Sequence, residues 1–150
     1  AGVIDALASR ADHVVFSEHG LARWASLPAV ASVEARGEAL ARAWSAMPAS
    51  KRACAVTCGE AGSWWLTDAG TFHVGAPSVE AVDTLGAGDV FHGAYALAIA
   101  RGRAIDAAAR FATCAAALKC TRDGGRAGAP TLAEVTAFAT QLGSEPHFGN

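Results

Sequence analysis

Charge is scarce in this chain of 150 residues: only 17% are Asp, Glu, Lys or Arg, and the formal net charge at pH 7 is −2. No basic block occurs, so the electrostatic footprint of a nucleic-acid binder is missing and small-molecule chemistry is the better expectation. Cysteine is sparse as well. Cys54, Cys58, Cys114 and Cys120 stand in pairs separated by three and five residues, which matches neither a C-x-x-C redox pair nor paired zinc knuckles. Buried free thiols in a reducing compartment are expected instead. His13, His19, His73 and His147 have no acidic or thiol partner at ligand spacing, which argues against zinc. No signal peptide is recognisable and no apolar run reaches the roughly 18 uninterrupted residues of a membrane span, so the expectation is a cytoplasmic protein with no membrane partner.

What is abundant is apolar: 52% of the residues are hydrophobic, many of them alanine, enough for one domain with a buried core. The opening "AGVIDALASRAD" lacks an initiator methionine and runs almost at once into a strand-like segment, as a piece of something longer would. That segment, "HVVFS" from His13 to Ser17, is rich in β-branched and aromatic residues and reads as a buried strand. Glu18 to Trp24 and Ser32 to Trp44 read as helices, the latter with Val33, Leu40, Trp44 and Met47 on its apolar side. "ACAVTCGEAGSWWLTDAGTFHVGAP" then reads as strand, glycine loop, strand, a turn at Asp68-Ala69-Gly70, and another strand. Trp64 and Trp65 alternate there, so one is expected inside and the other partly exposed.

From Gly86 onward three helices are expected. The first runs to about Arg101, with Gly102 as its stop. The second, near Ala104 to Lys119, has Ile105, Ala108, Ala112 and Ala115 on one stripe, thickened by Phe111 and Leu118. The third follows a capping-box spacing at Thr131 and Glu134 and should bury Leu132, Val135, Phe138 and Leu142. Strands alternating with helices point to an α/β layered fold with a largely parallel sheet.

The chemistry concentrates in "VDTLGAGDVFHGAY". A helix N-terminus offers unpaired N–H groups and a partial positive charge, and glycines there let an anion approach the backbone. "GAGD" is built to receive negative charge, yet Asp89 adds a negative charge of its own. A first-turn helix aspartate is the plain reading. The sharper one makes it a base that takes a proton from an attacking hydroxyl while neighbouring amides stabilise a transferring phosphoryl group. His92, three residues on, more simply packs or hydrogen-bonds than catalyses.

"VDTLGAGDVFHGAY" resembles the C-terminal signature of the ribokinase-like PfkB carbohydrate kinases, an Asp-Thr-x-Gly-Ala-Gly-Asp core followed by Phe and Gly. Upstream, "VTCGEAG" resembles the family's Thr-x-Gly-x-x-Gly nucleotide loop, and "AAARFATCAAALKCTRDGGRAGAPTLAEV" resembles its closing helix, cation loop and final helix. The resemblance implies a ribokinase-like layered fold flanked by helices, represented across residues 1–150 by its C-terminal, ATP-binding half. It implies Asp89 as general base, with the amides of Gly86, Ala87 and Gly88 as anion hole. Thr57, Gly59, Glu60 and Gly62 would border ATP, and Thr113 would lie near the adenine. Asp83 through its side chain and Gly124 through its backbone would hold a monovalent cation, potassium. The implied substrates are a small sugar and ATP with Mg2+, and a homodimer of the full-length protein is compatible with the family.

This sequence departs from the family in two places. Many relatives carry Asn-x-x-Glu, tied to magnesium and phosphate, where this chain has Ser17 and Gly20; Glu18 is displaced by two positions. Family enzymes are also about twice this length, and their N-terminal half supplies the sugar pocket and lid, so the isolated chain is expected to be inactive. The segment "LKCTRDGGRAGAPTLAEV" leans toward the ketohexokinase and sulfofructose-kinase branch, hence toward a ketose. A nucleoside kinase of the same fold and a non-catalytic nucleotide-binding fragment are the alternatives.

Overall fold

The computed structural model describes residues 2–28 and 32–143; His147 lies outside them. The chain divides into two compact units, Ala1–His73 and Val74–Asn150.

In the first unit, a short helix α1 (Val3–Ala8) precedes the strand β1 (His13–Ser17), whose bounds are those expected. The sequence reading did not anticipate α1. Its start is held by Asp5, which accepts the Gly2 N–H at 2.7 Å and the Trp24 indole N–H at 2.6 Å, the second a tertiary contact. Ser17 closes β1 and opens α2 (Glu18–Ala25) by accepting the Gly20 N–H at 3.0 Å, a serine N-cap. Ser32 caps α3 (Val33–Ala46) in the same way through the Ala35 N–H. The strands β2 (Ala53–Thr57), β3 (Ser63–Thr67) and β4 (Gly70–Val74) complete a sheet in the order β1-β2-β3-β4.

The parallel pairing is confined to β1 and β2, in register from His13 opposite Ala53 to Ser17 opposite Thr57; β2 and β3 run antiparallel. Connection length explains the difference. Between β1 and β2 lie two helices, long enough for a crossover, whereas Cys58 to Gly62 can only turn the chain straight back. Phe16, Leu21, Ala39, Leu40, Ala43, Met47, Cys54 and Val56 form the buried core of this unit. Val33, assigned to the apolar side of α3, is 62% exposed because it is the helix's first residue, outside the buried set of Ala39, Leu40 and Ala43. Trp65 is buried and Trp64 exposed, as the alternation requires.

The second unit is helical: α4 (Ala87–Ala100), α5 (Ile105–Cys120) and α6 (Leu132–Gln141). Helix α5 packs against both others and is buried on most of its circumference, including Ala108, Ala109, Phe111, Ala112, Cys114, Ala115 and Ala117. Its charged Asp106 and Arg110 fall on the part that stays exposed. The capping box of α6 is present, with the Glu134 N–H reaching Thr131 Oγ1 at 3.4 Å and Thr131 N–H donating to Glu134 Oε2 at 2.7 Å. Val135 is buried, while Leu142 is 45% exposed because α6 ends one residue before it and the chain leaves the stripe there. Between α5 and α6 the glycine-rich loop tightens into a 3-10 turn at Gly125–Gly128. Gly128 is required by packing, since a Cβ there would sit 2.9 Å from the Asp123 carbonyl oxygen.

Candidate active site

Helix α4 opens at Gly86, whose φ of 79° places it in the left-handed region that favours glycine. That geometry turns the chain into the helix with three amides unspent. Among the described residues, the N–H groups of Gly86, Gly88 and Asp89 donate to no protein acceptor. The Ala87 amide, expected in the anion hole, is engaged by the Thr84 carbonyl at 3.1 Å, because the turn before the helix needs that bond. A Cβ at Gly88 would meet nothing within 4 Å, so the backbone there is open to an approaching group. Asp89 occupies the first turn, exposed, and its carboxylate caps no amide and pairs with no cation among the described residues. As the third residue of the helix it also favours the helix dipole, which needs no capping bond. His92 is tied up locally, its Nδ1 lying 2.7 Å from the Gly88 carbonyl oxygen.

Asp83 sits six residues earlier and is heavily engaged. Its Oδ1 accepts the Leu85 N–H at 2.8 Å, and its Oδ2 accepts the Gly125 N–H at 3.1 Å and the Lys119 ammonium at 3.0 Å. The Leu85 amide first, then Lys119 and Gly125, hold this carboxyl well below the usual range, at about 2. Sequence reasoning assigned Asp83 and Gly124 to a potassium ion. In the structure the Lys119 ammonium lies beside Asp83 at 3.0 Å, and the Gly124 carbonyl accepts the Ala127 N–H at 2.9 Å. Lys119 itself was not singled out. A signal was available, since Lys119 falls four residues after Ala115 on the buried stripe of α5, where a charged residue needs a partner.

Thr57 ends β2 with its hydroxyl donating to the Phe16 carbonyl at 3.4 Å. Gly59 and Gly62 both have positive φ, 55° and 85°, and the Cys58 N–H to Gly62 carbonyl bond of 2.7 Å closes the loop that presents the exposed Glu60. Thr113 is buried within α5, its hydroxyl donating to the Ala109 carbonyl at 2.8 Å. Where relatives carry Asn-x-x-Glu, Ser17 and Gly20 form the α2 cap, and the displaced Glu18 pairs with Arg36. No group of three or more His, Cys, Asp or Glu side chains able to hold a metal occurs among the described residues. All four cysteines are free thiols; burial pushes Cys54 up to about 12 and raises the other three, so none is a poised nucleophile.

Residues 1–132 match the model of the pfkB family of carbohydrate kinases. The chain belongs to that family. It is similar to the ribokinase of Bacillus subtilis (strain 168), 51% identical over 69 residues that make up 45% of this chain and 24% of that protein. Among solved structures, the ribokinase of Thermotoga maritima superposes with a TM-score of 0.80 at 26% identity, over 93% of this chain and 46% of that one. The Arabidopsis thaliana ribokinase complexed with ribose and ATP does so with a TM-score of 0.79 at 26% identity, over 89% and 42%. The α/β ribokinase-like fold is therefore shown, and the chain spans about half the length of those structures.

Proposed function

We propose that this chain is the ATP-binding and catalytic-base portion of a sugar kinase that transfers the γ-phosphoryl group of ATP to a hydroxyl of an aldopentose of the ribose type. The observation that carries this reading is the joint presence, at one helix start, of three unspent amides and an exposed, unpaired carboxylate. In the reaction, Asp89 accepts the proton of the sugar hydroxyl as its oxygen attacks the γ-phosphorus. ADP leaves, and the N–H groups of Gly86, Gly88 and Asp89 stabilise charge on the transferring oxygens. Aspartate is the fitting residue, because phosphoryl transfer asks little of the protein beyond positioning, a base and fixed dipoles.

The sequence lean toward a ketose gives way here to ribose, because the relatives named above are ribokinases. The glycine loop from Thr57 to Gly62 is read as the nucleotide loop on the strength of its motif. Magnesium would arrive with ATP, held mainly by phosphate oxygens and water as this ion commonly is, since no carboxylate cluster for it occurs among the described residues. When bound it would neutralise phosphate charge.

The test is a screen of the full-length protein for ATP consumption with ribose, deoxyribose, ketoses and nucleosides, with Asp89→Asn as its control. Removing a general base is expected to lower kcat by about 10²–10⁴-fold with little change in KM. Full activity in Asp89→Asn removes the assignment of the base, and a preference for ketoses or nucleosides removes ribose. The 150-residue chain alone is expected to phosphorylate nothing.

A further inference from the structure

The side chain of Lys119 has 0% exposure, in a chain where it is the one charged residue buried so completely among the described residues. Burying an ammonium is costly unless every hydrogen on it finds an acceptor and a negative charge lies close. Both conditions are met. Nζ donates to the Asp83 backbone carbonyl at 2.9 Å, to Asp83 Oδ2 at 3.0 Å and to the Arg122 carbonyl at 3.2 Å, which uses all three of its hydrogens. One carboxylate and backbone carbonyls converging on a point are also the donors a hard cation selects.

The resemblance implied a potassium ion at Asp83, but the residues present do not fit one. A metal ion within reach of those same three oxygens would coincide with Nζ. We propose that Lys119 is this chain's own monovalent cation: its tethered ammonium takes the place of potassium, and the kinase needs no added potassium. The consequence reaches the helix start through Asp83. The same carboxylate that Lys119 neutralises also fixes the Leu85 and Gly125 amides, one residue from Gly86 and within the glycine loop. Lys119 is thus a positioning residue, holding the turn that presents the amides of Gly86 and Gly88.

The catalytic part of this inference rests on the kinase reading, but the occupancy of the cation position does not, so the primary readout is thermal melting. Melting of the full-length protein is compared in potassium chloride and choline chloride at equal ionic strength, for the natural sequence, Lys119→Ala and Lys119→Met. The natural chain is expected to melt identically in both salts. Lys119→Ala leaves an oxygen-lined space and is expected to melt lower in choline, then to recover on the order of 5 °C, saturably, with potassium. Lys119→Met fills the space without charge and is expected to gain nothing from potassium. In the full-length enzyme, Lys119→Ala should acquire a potassium requirement for kcat that the natural enzyme lacks.

A merely structural lysine would leave Lys119→Ala weakened equally in both salts, and that result overturns the proposal, as does failure of this variant to fold in either. Saturable stabilisation of the natural chain by potassium, or rescue of Lys119→Met, overturns it too. If the melting pattern holds while the full-length protein phosphorylates no sugar, the kinase reading falls and the cation assignment stands.

Discussion

At the scale of single residues, two glycines two positions apart answer to different demands. Gly86 is needed for its backbone: with φ at 79°, a side chain there is strained although its Cβ would meet only the Gly125 carbonyl carbon at 3.9 Å. Gly86→Ala is expected to cost about 1–2 kcal/mol, a fall in Tm of several degrees by calorimetry. Gly88 is helical and unobstructed, so Gly88→Ala should hold or raise Tm, alanine being the better helix former by about 1 kcal/mol. Its methyl group nevertheless stands where a phosphate would approach the amides, and ATP affinity of the full-length protein is expected to fall. Loss of affinity without loss of stability is the signature sought; unchanged ATP binding in Gly88→Ala would move the anion site elsewhere. The motif around Asp89 was legible from residue types alone. That the Ala87 amide is spent on Thr84 was not, because it depends on how the preceding turn closes.

At the scale of elements, what the sequence made legible was whatever short-range chemistry controls. β1 has its expected bounds because a β-branched and aromatic run ends at a serine that caps the next helix. Helix α6 begins where Thr131 and Glu134 said it would, and its cap offers a direct check. Thr131→Ala removes the acceptor of the Glu134 N–H and is expected to cost about 1 kcal/mol, lowering Tm by roughly 2–4 °C in circular-dichroism melts. A loss under half a degree would mean that packing of Val135 and Ala139, rather than the cap, holds this end. Helix α1 escaped notice because it is six residues long and tied down by Asp5 and Trp24, far apart in sequence. The antiparallel β2–β3 pairing was implicit in the five-residue gap between Thr57 and Ser63 but was outweighed by the alternation of strands and helices.

At the scale of the whole molecule, no helix among the described residues is long and apolar enough to cross a membrane. Stability should respond to acid through two carboxylates. Asp83, held by the Leu85 amide and Lys119, and Glu134, held by Arg122 and the Thr131 amide, both have folded values near 2. Since the folded chain binds these protons more weakly than the unfolded one, their contribution is complete above about pH 4 to 5 and is lost as the pH falls toward 2. Denaturation midpoints measured between pH 6 and pH 2 are expected to be flat at first and then to drop. For Asp83→Asn and Glu134→Gln combined, the drop should shrink; an undiminished drop would place the acid sensitivity in other groups.

The sequence by itself determined the family signature, the order of the elements from β1 onward and most of their ends, because caps, turns and apolar periodicity act over a few residues. Only the tertiary structure decided which buried charge meets which. Lys119 and Asp83 lie 36 residues apart. The buried stripe of α5 shows that the Lys119 ammonium needs a partner but not which one, since pairing of that kind depends on which segments folding brings within about 3 Å of each other.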